Sequence, residues 1–150
     1  YAVSPEPSLD QGNTQEAIDE LQLFINKYPN SELISTCNDL IDELRNKLEV
    51  KAFNIAKLYF YIEDYQAAIV SMGNVLEDFP GTEYKEEILY TIAKSNYFYA
   101  IGSIITKQQE RFESTVSACK NFYRAFPESK YTREIENFEK KAKAELEQIN

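Results

Sequence analysis

The chain has 150 residues, of which 43% are apolar, with only 4 glycines and 5 prolines, and this composition favours one helical globular domain over a disordered chain or a turn-rich all-β fold. Its net charge of −9 argues against binding to nucleic acid and against docking on an anionic membrane, because both need a basic face. Histidine is absent from the sequence, which removes the commonest general base and the commonest metal ligand.

The beginning of the chain predicts a short lead-in followed by a helix. Residues 1–12 carry two prolines and a glycine without any apolar period, so we expect an extended lead-in to a domain at 13–150. Asn13 is the predicted N-cap, since its short side chain can accept a hydrogen bond from a first-turn N–H, and Glu16 stands three residues later. Apolar residues then recur at helical spacing as far as Tyr28.

A block of residues that ends in proline occurs three times, at 18–29, 69–80 and 116–127. Each block has an aromatic ring directly before the proline and a serine or threonine two residues after it. The matched apolar positions are Leu21, Met72 and Cys119, then Phe24, Val75 and Phe122, then Ile25, Leu76 and Tyr123. Proline ends a helix because it lacks an N–H and disfavours helical geometry in the residue before it. The three copies therefore predict a helical repeat, in which the hydroxyl residue caps the helix that follows.

Between the first two prolines the sequence predicts one long helix. No glycine or proline occurs between Glu32 and Asp64, and apolar residues recur there at helical spacing. We predict a continuous helix near 32–63, with a length of roughly 45 Å at 1.5 Å per residue. A break near 49–51 is the alternative.

The segment 52–82 contains two amphipathic stretches joined by an acidic turn at 63–65, and Pro80 closes it. Small side chains, Ala56 and Ala68, stand where two antiparallel helices must approach closely. This arrangement resembles a tetratricopeptide (TPR) repeat. The resemblance implies pairs of antiparallel helices, A and B, that bury their apolar faces against neighbouring pairs.

Three more helices complete the predicted fold. The fourth runs from about Glu83 to Thr106, with a bend at Gly102 as an alternative, the fifth covers about 108–126, and the sixth begins after Ser129. We expect an all-α, TPR-like α-solenoid of about six helices, in which the polar face of the last helix closes the stack. The first helix resembles a B helix without its A helix, so we expect the chain to be a fragment of a longer protein.

Nothing in the sequence predicts an enzyme. Acidic pairs such as Glu86 and Glu87 are interpreted as solvated surface. No glycine-rich phosphate loop, Cys-x-x-Cys pair or nucleophile elbow occurs, and a hydrolase would need a polar pocket that shifts the pKa of a carboxylate. Cys37 and Cys119 lie in apolar stripes and are predicted to be small buried side chains, with a disulfide or a reactive thiol as alternatives. We therefore expect no catalytic, cofactor or metal site.

Two predicted A helices share a pattern of a ring, a lysine and a second ring. Its members are Phe53, Lys57 and Phe60 in one helix and Tyr90, Lys94 and Tyr97 in the other. In one interpretation the rings pack between adjacent A helices and the lysines are ordinary surface. In the other, the six residues form a groove for a peptide or a partner domain, in which the rings are anchors and the lysines bind carboxylates.

The chain resembles the C-terminal half of a BamD/YfiO-type lipoprotein of the Bacteroidetes-like form, the helical accessory subunit of the outer-membrane β-barrel assembly (Bam) machine. The resembling stretches are 17–32, 40–60, 63–84 and 126–131. The resemblance implies a non-catalytic scaffold at the periplasmic face of the outer membrane, docked on the periplasmic part of BamA. It also implies a lipid anchor on an N-terminal cysteine that is not among these residues. The polar face of the long helix around Arg45 and Lys47 is a further predicted partner-binding region.

A generic TPR peptide-binding adaptor, related to a chaperone or to secretion, is the alternative function. The ligand distinguishes the two, because the first function predicts binding to a folded BamA periplasmic domain and the second predicts binding to a short linear peptide. Neither function requires a cofactor, and both place the activity in protein–protein contacts.

Overall fold

Six α-helices and no strand make up residues 11–149, which are the residues that the computed structural model describes. The helices are α1 (Gly12–Lys27), α2 (Ile34–Tyr61), α3 (Tyr65–Asp78), α4 (Lys85–Ile101), α5 (Ile105–Ala125) and α6 (Thr132–Ile149). The prediction of an all-α, TPR-like fold of about six helices is confirmed. The chain divides into two compact units, one up to Ala52 and the other from Phe53 onward, and α2 contributes to both.

The first helix begins slightly earlier than the sequence predicted. The carbonyl of Gln11 accepts a hydrogen bond from the N–H of Thr14 at 3.0 Å and so closes the first turn. Gly12 and Asn13 consequently lie inside α1, and Gln11 rather than Asn13 occupies the N-cap position. The extended lead-in predicted for 1–12 otherwise lies outside the described residues.

The long helix is confirmed as one continuous element. α2 has 28 residues, which corresponds to a length of about 42 Å at 1.5 Å per residue. The alternative break near 49–51 is absent, since these residues are helical. A helix can run this far because nothing in its interior removes a backbone donor or prefers a turn.

A left-handed residue ends α2 and allows the chain to reverse direction. Glu63 has a positive φ of 63°. The N–H of Glu63 donates to the carbonyl of Phe60 at 3.1 Å, and the N–H of Asp64 donates to that of Tyr59 at 3.0 Å, which is the Schellman pattern of a helix end. The Asp64 carboxylate then accepts a hydrogen bond from the N–H of Ala67 at 3.1 Å and caps α3. Two helices are thereby joined by three residues.

The three proline-ended blocks fold alike at their ends. The residue before each proline is a C-cap whose N–H donates to a carbonyl four residues back; these residues are Tyr28, Phe79 and Phe126. The hydroxyl two residues after each proline accepts a hydrogen bond from the N–H two residues later, at 3.2 Å in Ser31, 3.2 Å in Thr82 and 3.0 Å in Ser129. These hydroxyl groups therefore stabilise the turn before the next helix. They do not act as the N-caps of that helix, as the sequence predicted.

The turn between α4 and α5 differs from the prediction. α4 ends at Ile101 instead of continuing to about Thr106, and α5 begins at Ile105. The N–H of Gly102 still donates to the carbonyl of Phe98 at 3.1 Å, and Gly102 is the C-cap, so the alternative bend at Gly102 coincides with the observed helix end. Helical spacing predicted that the apolar stripe of the fourth helix continues to Ile104, but Ile104 is 70% exposed, and its neighbour Ile105 is 81% exposed. An apolar pattern alone does not distinguish a core-facing stripe from an exposed apolar turn.

The core of the second unit lies between α4, α5 and α6. Its buried residues are Ala93, Tyr97 and Ala100 on α4, Phe112, Ala118, Cys119 and Phe122 on α5, and Ile135, Phe138 and Ala142 on α6. The B-type helix α5 is thus packed between two A-type helices, α4 and α6. In the first unit, Ile18 of α1 packs with Ile41 and Leu44 of α2.

Both cysteines are free thiols with buried side chains, as the sequence predicted. The thiol of Cys119 is fully buried and lies 3.8 Å from the carbonyl oxygen of Ile135. Burial raises the pKa of Cys119 to about 12, with a further contribution from the carboxylate of Glu139. Because the thiolate is the reactive form, this cysteine serves as a packing residue at neutral pH.

Candidate partner-binding surface

The first ring–lysine pair connects α2 to the beginning of α4. The ring of Phe53 stacks on that of Tyr84 with 4.2 Å between ring centroids and an interplanar angle of 5°. One turn along α2, the ammonium of Lys57 lies 3.0 Å from a carboxylate oxygen of Glu87. A ring and a lysine four residues apart on one helix therefore contact a tyrosine directly before another helix and a glutamate in the first turn of that helix.

The same arrangement is repeated between α4 and α6. The rings of Tyr90 and Tyr131 stack at 4.1 Å with an interplanar angle of 15°, and Lys94 lies 3.1 Å from Glu134. The Tyr90 hydroxyl donates to Glu134 at 2.7 Å and accepts from Lys94 at 3.0 Å. We call each four-residue set a clamp: the first is Phe53/Lys57 with Tyr84/Glu87, and the second is Tyr90/Lys94 with Tyr131/Glu134. Because α4 takes part in both, the clamps connect three A-type helices in succession.

The electrostatics of the clamps favour the charged forms. The hydrogen bond to Glu87 raises the pKa of Lys57 against the opposing effect of burial. Burial lowers the pKa of Lys94, but its hydrogen bonds to Tyr90 and Glu134 outweigh that effect and the pKa is raised. Burial likewise raises the pKa of Glu134, and the hydrogen bonds from Tyr90 and Lys94 reverse the sign, so that this pKa is lowered. Both clamp lysines and Glu134 are therefore charged at neutral pH.

The structure distributes the six ring–lysine residues between packing and surface. Phe53 and Tyr97 are buried, and Tyr97 packs against Phe138 at 4.9 Å between centroids. Lys57 and Lys94 keep 31% and 24% of their side chains exposed. The remaining two rings, Phe60 and Tyr90, are half-buried, and the Lys94 ammonium lies 5.7 Å from the centre of the Phe60 ring. Rings do pack between adjacent A helices, while the lysines are paired within the chain.

Arg45 and Lys47, the other predicted partner-binding residues, lie in the first unit. Arg45 is exposed and Lys47 is half-buried on α2. They share α2 with Phe53, Lys57 and Phe60, which belong to the second unit. The eight predicted residues therefore do not form one cluster within either unit.

The first unit also has an apolar groove that the sequence did not predict. It encloses about 520 Å³ along α1, and its apolar lining includes Ala17, Leu21, Phe24 and Leu33. Ala17, Leu21 and Phe24 are half-buried, whereas the equivalent positions of α3 and α5 are 0–2% exposed; these are Ala68, Met72, Val75, Thr115, Cys119 and Phe122. Comparison of the three blocks would have identified these positions, but only the tertiary structure shows that they are less covered in α1.

A polar cavity of about 310 Å³ lies between α3, α4 and α5 in the second unit. The guanidinium of Arg111 lies 3.9 Å from the centre of the Tyr99 ring and donates to the hydroxyl of Ser103. Lys107 lines the same cavity and is 3.8 Å from Glu110. This cavity was not predicted from the sequence, because Lys107 stands before the predicted start of the fifth helix at residue 108. A lysine and an arginine four residues apart were the available signal.

A family model described as outer membrane lipoprotein, YfiO, matches residues 2–111. The chain belongs to the YfiO family of outer membrane lipoproteins. The predicted BamD/YfiO-type relationship is thereby confirmed. A comparison with curated protein sequences gave no match.

The YfiO match covers α1 to α4 and the first turns of α5, and so includes the whole first clamp and the α4 half of the second. Family membership assigns the chain to outer-membrane lipoproteins with a BamD-like role in outer-membrane assembly. Within residues 11–149, no helix is both long enough and apolar enough to cross a lipid bilayer.

Proposed function

We propose that this YfiO-family chain is a non-catalytic scaffold of the outer-membrane β-barrel assembly complex that docks on the periplasmic part of a BamA-type subunit. Family membership is the observation that carries this proposal. On this view the full-length protein is held at the periplasmic face of the outer membrane by a lipid anchor. The helical repeats supply a supported surface rather than a reaction centre, since repeat folds of this kind bind through the faces of their helices.

The proposed docking surface consists of three partly exposed clamp residues and of Phe60, whose ring lies beside Lys94. Lys57, Phe60, Tyr90 and Lys94 combine rings with cations, and the stacked neighbours hold them in place. Phe53 and Tyr97 are buried and pack in the interior of the chain. Rings and pre-positioned cations are common anchors of protein interfaces. Because the lysines are already paired within the chain, a partner carboxylate would have to share or exchange these ion pairs, and the rings would supply most of the binding energy.

Neutralising one clamp without leaving an unpaired charge tests this surface. The double variant Lys57→Gln with Glu87→Gln removes the ion pair of the first clamp and preserves the net charge of the chain. Combined with Phe60→Ala, it is expected to weaken binding of a purified BamA periplasmic part by about tenfold or more, measured by isothermal titration, since losing an anchor of about 1.4 kcal/mol changes affinity tenfold. Lys120→Gln, on an exposed part of α5, is the control and is expected to bind normally.

Two results would argue against the docking surface. Unchanged affinity of the triple variant would exclude Lys57, Glu87 and Phe60 from the docking surface. Equal weakening by Lys120→Gln would indicate general electrostatics instead of a specific surface. Arg45→Glu tests the second predicted region separately, because Arg45 lies in the first unit.

A peptide-binding adaptor is the alternative function, and the apolar groove along α1 is the observation that favours it. The groove is mostly apolar in its lining, and an apolar groove is one of the surfaces that bind the apolar face of an amphipathic peptide. Binding of short amphipathic peptides, together with no affinity for a folded BamA periplasmic part, would favour this alternative. The two titrations can be made with the same preparation.

A further inference from the structure

The first turns of α5 have no counterpart in the preceding repeat. The blocks that end at Pro80 and Pro127 align Tyr65, the first residue of α3, with Phe112 of α5. α5 nevertheless begins at Ile105, so it is longer than α3 by about two turns at 3.6 residues per turn. We call residues 105–111 the α5 extension.

The α5 extension contributes nothing to the buried core. The buried residues of α5 are Phe112, Thr115, Ala118, Cys119 and Phe122, all of which follow the extension. Within the extension, Gln108 and Arg111 are half-buried and the other residues are exposed. Its cations line the cavity of about 310 Å³ between α3, α4 and α5. An element that the repeat does not need for packing therefore builds a cavity with a charged wall.

The cations of this cavity are arranged to bind a carboxylate. Arg111 is held in place because its guanidinium stacks on Tyr99 and donates to Ser103. A guanidinium can bind a carboxylate through several N–H groups, and stacking reduces the entropy lost on binding. Lys107 is only weakly engaged, since its ion pair with Glu110 is long, at 3.8 Å, and exposed at both ends. Two cations against one carboxylate make this wall positive in a chain whose net charge is −9.

An apolar side faces the same cavity. Ile69 and Val70 of α3 line it, and Val70 is 57% exposed. Isolated exposed apolar residues are ordinary, but two adjacent ones that share a cavity with a positively charged wall match a ligand that combines an acidic group with an aliphatic one.

We propose that the cavity between α3, α4 and the α5 extension docks a partner protein's segment in which an Asp or Glu side chain adjoins an aliphatic residue. The carboxylate binds Arg111 and Lys107, and the aliphatic side chain packs on Ile69 and Val70. This site is separate from the clamps, because Tyr99 follows Tyr90 by two and a half turns and so lies on the opposite side of α4. The inference does not rest on the proposed docking to BamA.

The probe is a short fluorescein-labelled peptide of alternating leucine and glutamate. The control is a peptide of the same length in which glutamine replaces glutamate. The intact chain is expected to bind the acidic peptide, with amide NMR shifts concentrated in the α5 extension and at Ile69 and Val70. Lys107→Glu is expected to weaken binding by about tenfold or more in fluorescence anisotropy, since a like charge replaces an attractive one. Val70→Ser is expected to lower the affinity for both peptides, because it removes an apolar contact and leaves Lys107 and Arg111 unchanged.

Lys120→Glu is the matched control, since it makes the same charge change at an exposed position on the same helix. It is expected to change the affinity less than twofold or so under ordinary salt screening. Circular dichroism verifies that each variant is folded. Equal binding of the two peptides, equal weakening by Lys120→Glu, or shifts that avoid the α5 extension would overturn the proposal. The Lys57→Gln/Glu87→Gln variant should bind the peptide normally, and Lys107→Glu should bind the BamA part normally, so the two proposals fail independently.

Discussion

Tyr90→Phe is the most informative single change in the clamps, because the first clamp already has a phenylalanine at the equivalent position. In the first clamp the equivalent ring is Phe53, and the ion pair of Lys57 still forms at 3.0 Å without a hydroxyl. Tyr90→Phe thus converts the second clamp into the chemistry of the first. It should retain the ring stack and the Lys94–Glu134 ion pair and lose only two hydrogen bonds.

The expected cost of Tyr90→Phe follows from those two bonds. The hydroxyl donates to Glu134 at 2.7 Å and accepts from Lys94 at 3.0 Å. Hydrogen bonds to charged groups contribute about 1.5–3 kcal/mol when buried, and partial exposure of both partners reduces this to about 1 kcal/mol in total. Tyr90→Ala also removes the stack on Tyr131 and half-buried ring surface, so it should cost about 2–3 kcal/mol.

The pH dependence gives a second measurement of the same contact. The pKa of Glu134 is lowered below its ordinary 4.5, so its contribution is present above that value and is lost as the pH falls through the folded-state pKa. The pKa of Lys94 is raised above 10.5, so its contribution is present below that value and is lost as the pH rises through the folded-state pKa. The stability difference between Tyr90→Phe and the parent should therefore be largest at neutral pH and smaller near pH 3.

Urea unfolding followed by circular dichroism at both pH values measures these differences. At neutral pH, a loss of about 1 kcal/mol would lower the melting temperature by about 2–4 °C in a chain of this size. If Tyr90→Phe and Tyr90→Ala lower the free energy of unfolding equally, the stacked ring does not contribute most of the stability of this contact. A difference that does not change with pH would refute the ionic contribution.

Three further predictions concern the repeat and its turns. Phe122→Ala should lower the free energy of unfolding, measured in urea, by about 3–5 kcal/mol. Phe24→Ala, at the equivalent but half-buried position of α1, should lower it by about 1–2 kcal/mol. Equal losses would show that the α1 position is as well packed as that of α5. Glu63→Gly should stabilise the chain by about 0.5–1 kcal/mol in the same assay, because glycine adopts a φ of 63° without steric cost, and a loss of stability would contradict this. Cys119, whose pKa burial raises to about 12, should react with a thiol reagent at pH 8 only as fast as the chain unfolds, and rapid labelling in the folded state would contradict its burial.

The clamps show how sequence recurrence and tertiary contact carry different information. The spacing of Phe53 and Lys57, and again of Tyr90 and Lys94, was visible as a repeat, but two interpretations were open. The structure pairs both lysines with glutamates on the next A-type helix. Glu87 and Glu134 could not be selected from 25 acidic residues, because a pairing partner on another helix has no fixed spacing in the sequence.

Local chemistry made most of the fold predictable. Helix ends before Pro80 and its counterparts, and the uninterrupted course of α2, follow from backbone sterics that act within a few residues. The fourth helix was predicted to continue to about Thr106 because Ile104 extends its apolar stripe, but the side chain of Ile104 is exposed and the helix ends at the alternative, Gly102. Whether an apolar residue faces a core depends on which other helix lies opposite it.

Short-range spacing within the sequence is enough to predict the all-α class and the three proline-ended blocks, and the stretches 17–32, 40–60, 63–84 and 126–131 carry the family resemblance. Only the packing of the helices selects the clamp glutamates, places the cations of the α5 extension at a cavity and leaves one face of α1 half-buried. Burial and ion pairing arise between segments many residues apart, and their distances are set only when the helices have packed.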